Sequence, residues 1–426
     1  MKLSKNIFVI LLTLMSTLTI AQETTELVEI KGRILSSDTK EKIAKATITL
    51  AGSNLSTVSN LEGKFALKIP KSEEAQELII TALEHKEKVI TLSQNLNKTL
   101  KIELNSEVIS LDAANLIAYT NAKELVKRVL GKRKDNYLEQ KTLMTAFYRE
   151  TIKKRSKNAS LAEAVVNIYK QPYGNSKRDE VKMLRSRKDT DYTKLDTIAL
   201  KLQGGPFSTL FVDVVKYPEF IFNPDIIEAY EFKFGKISEI NGGNVLVVNF
   251  KQKDEVTTPL YEGKLYINGA TLALVKASYS LKLTNIKEVN ERYVRSKPSD
   301  VKIKPRNISY EVNYREKDGK WVYGYSKADL SFEVKKRRKL FKSIYTLSCE
   351  MAITDWQTDA GDKLWGNEAK IDQYIIMADQ NVGFGDPDFW GEYNVIEPEK
   401  SIESAIKKIQ RKLVKDQKNS TGLGGQ

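Results

Sequence analysis

Alternation with a period of two, sustained over some two hundred residues and broken by tight-turn dipeptides, limits this chain more than any other feature. From Leu272 to Leu283 the small and apolar residues Ala273, Val275, Ala277, Tyr279 and Leu281 occupy every second position. That spacing puts them on one face of a strand and their polar neighbours on the other. Asn268-Gly269 separates this run from Lys264 to Ile267, and Asp318-Gly319 separates Ile308 to Tyr314 from Trp321 to Tyr325. Both dipeptides favour the positive-φ turns of hairpins. Val245 to Phe250 follows an Asn241-Gly242-Gly243 turn, and Leu330, Phe332 and Val334 lead into the alternating set Leu347, Cys349, Met351 and Ile353. Residues 143–380 are therefore expected to form a long antiparallel meander with one face buried.

Residues 27–104 form shorter runs. Val28 to Ile34, Ile43 to Leu50, Lys64 to Ile69, Leu78 to Leu83 and Val89 to Leu92 are each bounded by turn residues such as Gly52-Ser53-Asn54 and Glu62-Gly63. Five to seven strands in so short a span predict a small sandwich. The opening Ile30-Lys31-Gly32-Arg33-Ile34, the segment Ile43-Ala44-Lys45-Ala46-Thr47-Ile48 and the turn Asn60-Leu61-Glu62-Gly63-Lys64-Phe65 resemble the carboxypeptidase-regulatory-like, transthyretin-type domain found at the N-termini of exported Bacteroidetes proteins. Ser59-Asn60 stands where that family has Thr-Asp, and Ala82-Leu83-Glu84-His85-Lys86 departs from its Ser-x-x-Gly-Tyr. The resemblance implies a non-catalytic accessory module over residues 22–107. Tyr261 to Leu283 is similar to the curved half-barrels of periplasmic lipoprotein carriers. The tail Asp386-Pro387-Asp388-Phe389-Trp390 with Tyr393-Asn394-Val395-Ile396 resembles an uncharacterised exported family carrying the same module. The expected fold is mainly β: a transthyretin-like sandwich, then a larger antiparallel, half-barrel sheet, with a few basic helices.

Lys2 and Lys5 precede the apolar run Asn6 to Ile20, and Ala21 precedes Gln22. These are the parts of a cleaved secretory signal, residues 1–21. Cysteine is absent near Ala21, so lipid attachment there is not expected. Removing Lys2 and Lys5 leaves +12 of the formal +14. A chain so basic favours anionic partners, and outside the cytoplasm these are acidic lipid or glycan rather than nucleic acid. Periplasmic or outer-membrane association follows, with an envelope protein, lipid or anionic glycan as partner and peripheral attachment to a membrane.

Residues 108–142 contain a linker and a basic amphipathic helix, Ala122 to Leu138, with Leu125, Val126 and Val129 on its apolar face. A second basic helix, Ser401 to Lys418, places Ile402, Ile406, Ile409 and Leu413 at helical spacing within the tail region 381–426. The basic clusters Lys132, Arg133, Lys134 and Lys335, Lys336, Arg337, Arg338, Lys339 are candidates for an anion-facing patch, and Lys153-Lys154-Arg155 adds a third. Phe389, Trp390 and Tyr393 either dock a sugar or protein through exposed rings or clamp the tail to the sheet. Gly204-Gly205-Pro206-Phe207 through Phe222 is either an apolar lid over a half-barrel or buried packing.

Catalytic constellations are sparse. The chain has one histidine, His85, and one cysteine, Cys349, too few for a zinc site, and His85 lacks a nucleophile elbow to serve. No catalytic residue, cofactor or metal is assigned. Asp189 with Asp191, and Asp386 with Asp388, leave open carboxylate-dependent glycan hydrolysis. The alternatives to that are a non-enzymatic lipid- or glycan-handling accessory protein of the envelope, the leading reading, and a purely structural spacer.

Overall fold

The computed structural model describes residues 26–71, 77–92, 99–107, 121–195, 204–235, 238–240, 243–294, 299–337, 340–361, 370–378 and 382–422. The expected signal segment and the basic residues Arg338 and Lys339 lie outside these residues.

Seven short strands build the N-terminal unit: β1 Leu27–Ser36, β2 Thr47–Leu50, β3 Ser56–Val58, β4 Lys64–Pro70, β5 Glu77–Ala82, β6 His85–Thr91 and β7 Leu100–Leu104. They form two sheets, ordered β4-β1-β7 and β3-β2-β5-β6. Ile30, Ile34, Phe65, Leu67, Ile69 and Ile102 from one sheet meet Ile48, Leu50, Leu78 and Ile80 from the other in one closed core. The turn before β4 shows why its residues are needed. Asn60 Oδ1 accepts hydrogen bonds from the backbone of Glu62 (2.9 Å) and Lys64 (3.0 Å), and Gly63 has φ +73°, where a Cβ would lie 2.5 Å from the Ile34 carbonyl oxygen. Only glycine fits so close an approach.

The second unit contains β8 Thr142–Lys154, β9 Lys157–Lys170, β10 Glu180–Thr190, β11 Tyr230–Phe234, β12 Ser238–Ile240, β13 Gly243–Gln252, β14 Tyr261–Asn268, β15 Leu274–Leu281, β16 Val301–Lys317, β17 Lys320–Lys336 and β18 Ser343–Thr358. They make one antiparallel sheet, β10-β9-β8-β18-β17-β16-β15-β14-β13-β11, with β12 also on β13. The sheet is open: among the described residues β10 and β11 stand at its two ends without pairing with each other, and Lys370 bridges to Lys182 along the β10 edge. Two meanders are joined where β18 pairs with β8, Cys349 opposite Glu150. Asp318 (φ 53°) and Gly319 (φ 73°) close the β16–β17 hairpin as a two-residue turn between Lys317 and Lys320. The Asn268-Gly269 turn is longer than a two-residue hairpin. Asn268 Oδ1 takes the backbone N–H groups of Ala270 and Thr271, and Leu272 sits at φ 63°.

Two expectations need correction. The middle of the sheet is buried on both faces, not one: Phe147 and Tyr148, neighbours pointing opposite ways on β8, are both fully enclosed. One face packs on residues 207–230; the other packs on Val58 of the sandwich and on Trp390 and Ile396 of the tail. Such two-sided cover normally belongs to parallel sheets, and here a second domain supplies it. The first helix also ends early. It runs Ala122–Gly131, capped by Asn121, and a single turn Arg133–Asn136 follows. Leu125, Val126 and Val129 are buried as their spacing predicts. The C-terminal helix Lys400–Gly422 lays Ile402, Ile406, Ile409 and Leu413 on Leu161 and Phe384.

Candidate functional site

Pairing brings five strand ends together at one end of the large sheet. Val301 of β16 lies opposite Lys336 of β17, Val334 opposite Ser343 of β18, Tyr345 opposite Lys154 of β8, and Lys154 opposite Lys157 of β9. Beneath them Ile152, Val301, Ile303, Phe332, Val334, Tyr345 and Leu347 close a local core. Alternation on β16 buries Val301, Ile303 and Pro305 and leaves Lys302, Lys304 and Arg306 exposed. Lys335, Arg337, Lys342, Arg155 and Lys157 are exposed at the same end. The acidic groups nearest the β17–β18 turn are Asp300, and Glu333, which Lys342 holds at 2.7 Å and keeps below the usual carboxylate range through that hydrogen bond; Asp191, beside the start of β9, is paired with Lys194. At the β17–β18 turn, Leu340 is 91 % exposed and Phe341 79 %. The core below is complete without either. Two adjacent large apolar side chains held in water on a basic rim are therefore unexplained by folding.

Of the residues singled out from sequence, Lys335, Lys336 and Arg337 belong to this end. Lys132, Arg133 and Lys134 do not. They adjoin the other end of β17, where Lys320 donates to the Asp135 carbonyl oxygen and Leu138 N–H donates to that of Trp321. Some 15 residues of strand at ~3.3 Å each put roughly 50 Å between the two groups. Charge counting along the sequence had merged two separate surfaces. Phe389, Trp390 and Tyr393 do not present free rings. Trp390 packs edge-on to Phe147 at 5.5 Å, and Arg187 lies over both Phe389 and Trp390. Arg185 covers Tyr393. These rings clamp the tail to β8–β10.

The carboxylate pairs are likewise accounted for. Asp191 receives Thr193 Oγ1 and pairs with Lys194 at 2.9 Å and with Lys408 of the C-terminal helix at 3.6 Å. Burial works against its charge, but those hydrogen bonds and cations hold it at about 2. Lys412 faces Asp189 at 3.8 Å. Asp386 Oδ1 accepts the Asp388 N–H at 2.9 Å in an exposed turn. His85 opens β6, its Nδ1 2.9 Å from the Leu83 carbonyl oxygen. It borders a cleft of about 1100 Å³ between the sandwich and the outer face of β14–β16, where Arg315 lies over Trp356 at 4.6 Å. Cys349 is buried, 3.2 Å from Ser208 Oγ, and burial pushes its thiol up to about 12. Among the described residues no three His, Cys, Asp or Glu side chains are grouped to hold a metal ion.

Residues 204–222 cover one face of the large sheet. Phe207, Leu210, Val212, Val214, Val215, Ile221 and Phe222 join the main core, which settles the lid-or-packing alternative in favour of packing. Asp213 anchors this segment within a network that sequence inspection missed. Lys170, at the end of β9, is 2 % exposed. Its ammonium lies 2.8 Å from both Asp179 Oδ2 and Asp213 Oδ2, with Tyr173, Tyr217 and Tyr323 around it. Burial disfavours the charge, but the two carboxylates prevail and hold Lys170 well above the usual lysine range. Lys216, whose ammonium donates to the carbonyl oxygens of Pro172 and Asn175, is instead lowered by burial to about 8. Nothing local in sequence links positions 170, 179 and 213. The exposed Leu340-Phe341 pair did leave a signal: two apolar residues between Lys339 and Lys342 at a turn, out of phase with the strand.

Residues 30–115 match the family model of the CarboxypepD_reg-like domain. The match agrees with the seven-stranded sandwich and covers about a fifth of the chain. No curated protein matches. Among solved structures, a domain provisionally ascribed to outer membrane lipoprotein sorting from Vibrio parahaemolyticus is 13% identical, covering 58% of this chain and 95% of that one, with a TM-score of 0.26. A DUF1329 family protein from Desulfovibrio piger is 11% identical over 57% of this chain and 95% of that one, TM-score 0.24. A protein of unknown function from Bacteroides fragilis, provisionally described as membrane-associated, is 10% identical over 78% and 98%, TM-score 0.16. Likenesses this slight carry no functional argument.

Proposed function

We propose that this chain is a non-enzymatic accessory protein of the cell envelope that rests on an anionic lipid surface through the basic, apolar-tipped end of its large sheet. The carrying observation is the pair Leu340 and Phe341, exposed together among Lys302, Lys304, Arg337, Lys342 and Arg155. Membrane-surface proteins combine these two elements: apolar side chains for the acyl boundary, and cations for the headgroups. Each basic residue near an anionic surface contributes about 1 kcal/mol, and a fully buried Leu or Phe about 1.5–3 kcal/mol. The secretory signal expected over residues 1–21 would bring the protein to such a surface. Because residues 204–222 pack against one face of the sheet and close it, the reading is of docking on lipid rather than carrying it. The lowered, ion-paired Asp191 is a poor general acid, which counts against the Asp189–Asp191 pair as a hydrolytic site.

Co-sedimentation with vesicles tests this. The chain should pellet with phosphatidylglycerol vesicles and not with phosphatidylcholine. The double variant Leu340→Ser, Phe341→Ser should bind about 30-fold more weakly or worse, from partial burial of two side chains. Equal binding by wild type and variant, or tighter capture by a soluble anionic glycan than by vesicles, would refute lipid docking.

A further inference from the structure

The Lys170 network supports a second inference, independent of membrane docking. A lysine, two carboxylates and a shell of tyrosines are sealed together here: Lys170 is 2 % exposed and Asp213 0 %. Asp213 Oδ1 accepts from the Tyr314 hydroxyl at 2.8 Å and from the Lys216 N–H at 3.1 Å. Its Oδ2 accepts from Lys170 at 2.8 Å and from Tyr173 at 3.2 Å. Asp179 Oδ2 takes Lys170 at 2.8 Å and the Tyr217 hydroxyl at 2.9 Å, and its Oδ1 takes the Gln171 N–H at 2.8 Å. Each carboxylate is thus fixed, and the amine touches both.

We infer that Lys170 and Asp213 condense into an intramolecular isopeptide bond, with Asp179 as the proton shuttle. The groups that amide formation needs are brought together: a lysine amine, a carboxyl held against it, an acid–base group in contact with the amine to take up its proton, and exclusion of the water that would reverse the reaction. The ammonium first passes a proton to Asp179, which relays it to Oδ2 of Asp213, so that a neutral amine faces a neutral carboxyl. The freed Nζ lone pair adds to Cγ of Asp213, and the negative charge that develops on Oδ1 meets the Tyr314 hydroxyl and the Lys216 N–H, an oxyanion-type arrangement. The nitrogen then sheds its second proton to Asp179, which delivers it to the Oδ2 hydroxyl, and as the Oδ1 carbonyl re-forms that oxygen leaves as water. One ammonium and one carboxylate become one amide and one water, with no oxidant or co-reactant. Asp213, rather than Asp179, is the acceptor because three donors besides the amine, Tyr314, Tyr173 and the Lys216 N–H, polarise its carboxyl. The bond would staple the segment covering this face of the sheet to the end of β9.

Intact-mass spectrometry of the purified full chain decides the matter without any variant. The nucleophilic-lysine chemistry predicts a mass about 18 Da below the sequence mass, and a tryptic branched peptide joining Lys170 to Asp213. Lys170→Arg should restore the full mass, as should Asp179→Ala. Asp213→Asn should instead lose about 17 Da, because ammonia leaves in place of water. A wild-type chain that keeps its full mass after prolonged incubation at 37 °C overturns the inference, and so does a branched peptide joined through Asp179.

Discussion

Glu163 is the residue on which the attachment of the tail most depends, and replacing it by Gln is a sharp test. It is buried on β9, and its two oxygens receive Arg149 at 2.8 Å and Arg187 at 2.9 and 2.7 Å. Each arginine reaches on to the tail: Arg149 to the Ile396 carbonyl oxygen at 2.8 Å, Arg187 to that of Gly383 at 2.9 Å. Burial alone would raise the Glu163 carboxyl, but the two guanidinium charges and their hydrogen bonds hold it below the usual carboxylate range. Glu163→Gln keeps the shape and removes the charge, leaving two buried cations short of an anion. Breaking a buried pair in this way costs about 3–5 kcal/mol. At about 2–4 °C per kcal/mol for a domain of this size, the midpoint of thermal unfolding should fall by roughly 6–20 °C. Paired urea titrations supply the free energy. A carboxyl with a lowered folded pKa binds fewer protons folded than unfolded, so its contribution is complete above the unfolded value, near 4.5, and fades as pH falls through the folded one. The gap between wild type and Glu163→Gln should therefore be full at pH 7 and narrow below pH 4.5. A loss under about 1 kcal/mol at pH 7, typical of an exposed pair, would show that this network does not hold the tail.

Burial governs two further outcomes. Cys349 should resist Ellman's reagent in the folded chain and react fully in denaturant. Its raised thiol keeps a proton that the unfolded chain releases, so stability should decline by about 1.4 kcal/mol per pH unit from pH ~9 towards 12; prompt native labelling would contradict the buried placement. Trp390→Ala, which empties the site against Phe147 and Arg187, should cost about 3–5 kcal/mol in urea unfolding and expose the tail after residue 385 to limited proteolysis. An unchanged digestion pattern would mean that the aromatic clamp is dispensable.

The strands were legible because each carries its own alternation, and Asp318-Gly319 marked its hairpin because two positive-φ residues admit few alternatives. The CarboxypepD_reg-like module was legible from the motif around Gly63. What escaped the sequence was set by distant partners. The β18–β8 pairing joins residues some two hundred positions apart, and with it comes the two-sided burial of Phe147 and Tyr148. The separation of Lys132 from Lys335 depends on β17 running its full length between them. The Lys170 network converges from the end of β9, two loops and the strands β16 and β17, and nothing periodic links positions 170, 179 and 213. Leu340 and Phe341 break the strand phase beside Lys342, but only their exposure distinguishes them from core residues.

The central claim is that the turn at Leu340 and Phe341 enters a lipid surface. Phe341→Trp places a fluorophore there, read as the difference from the wild-type chain with its four native tryptophans. On adding phosphatidylglycerol vesicles, the extra emission should shift to the blue and be quenched by lipids brominated on their acyl chains, as expected for a side chain at the acyl boundary. Vesicle binding without a shift or quenching at position 341 would contradict the account, because the membrane would then meet some other surface of the molecule.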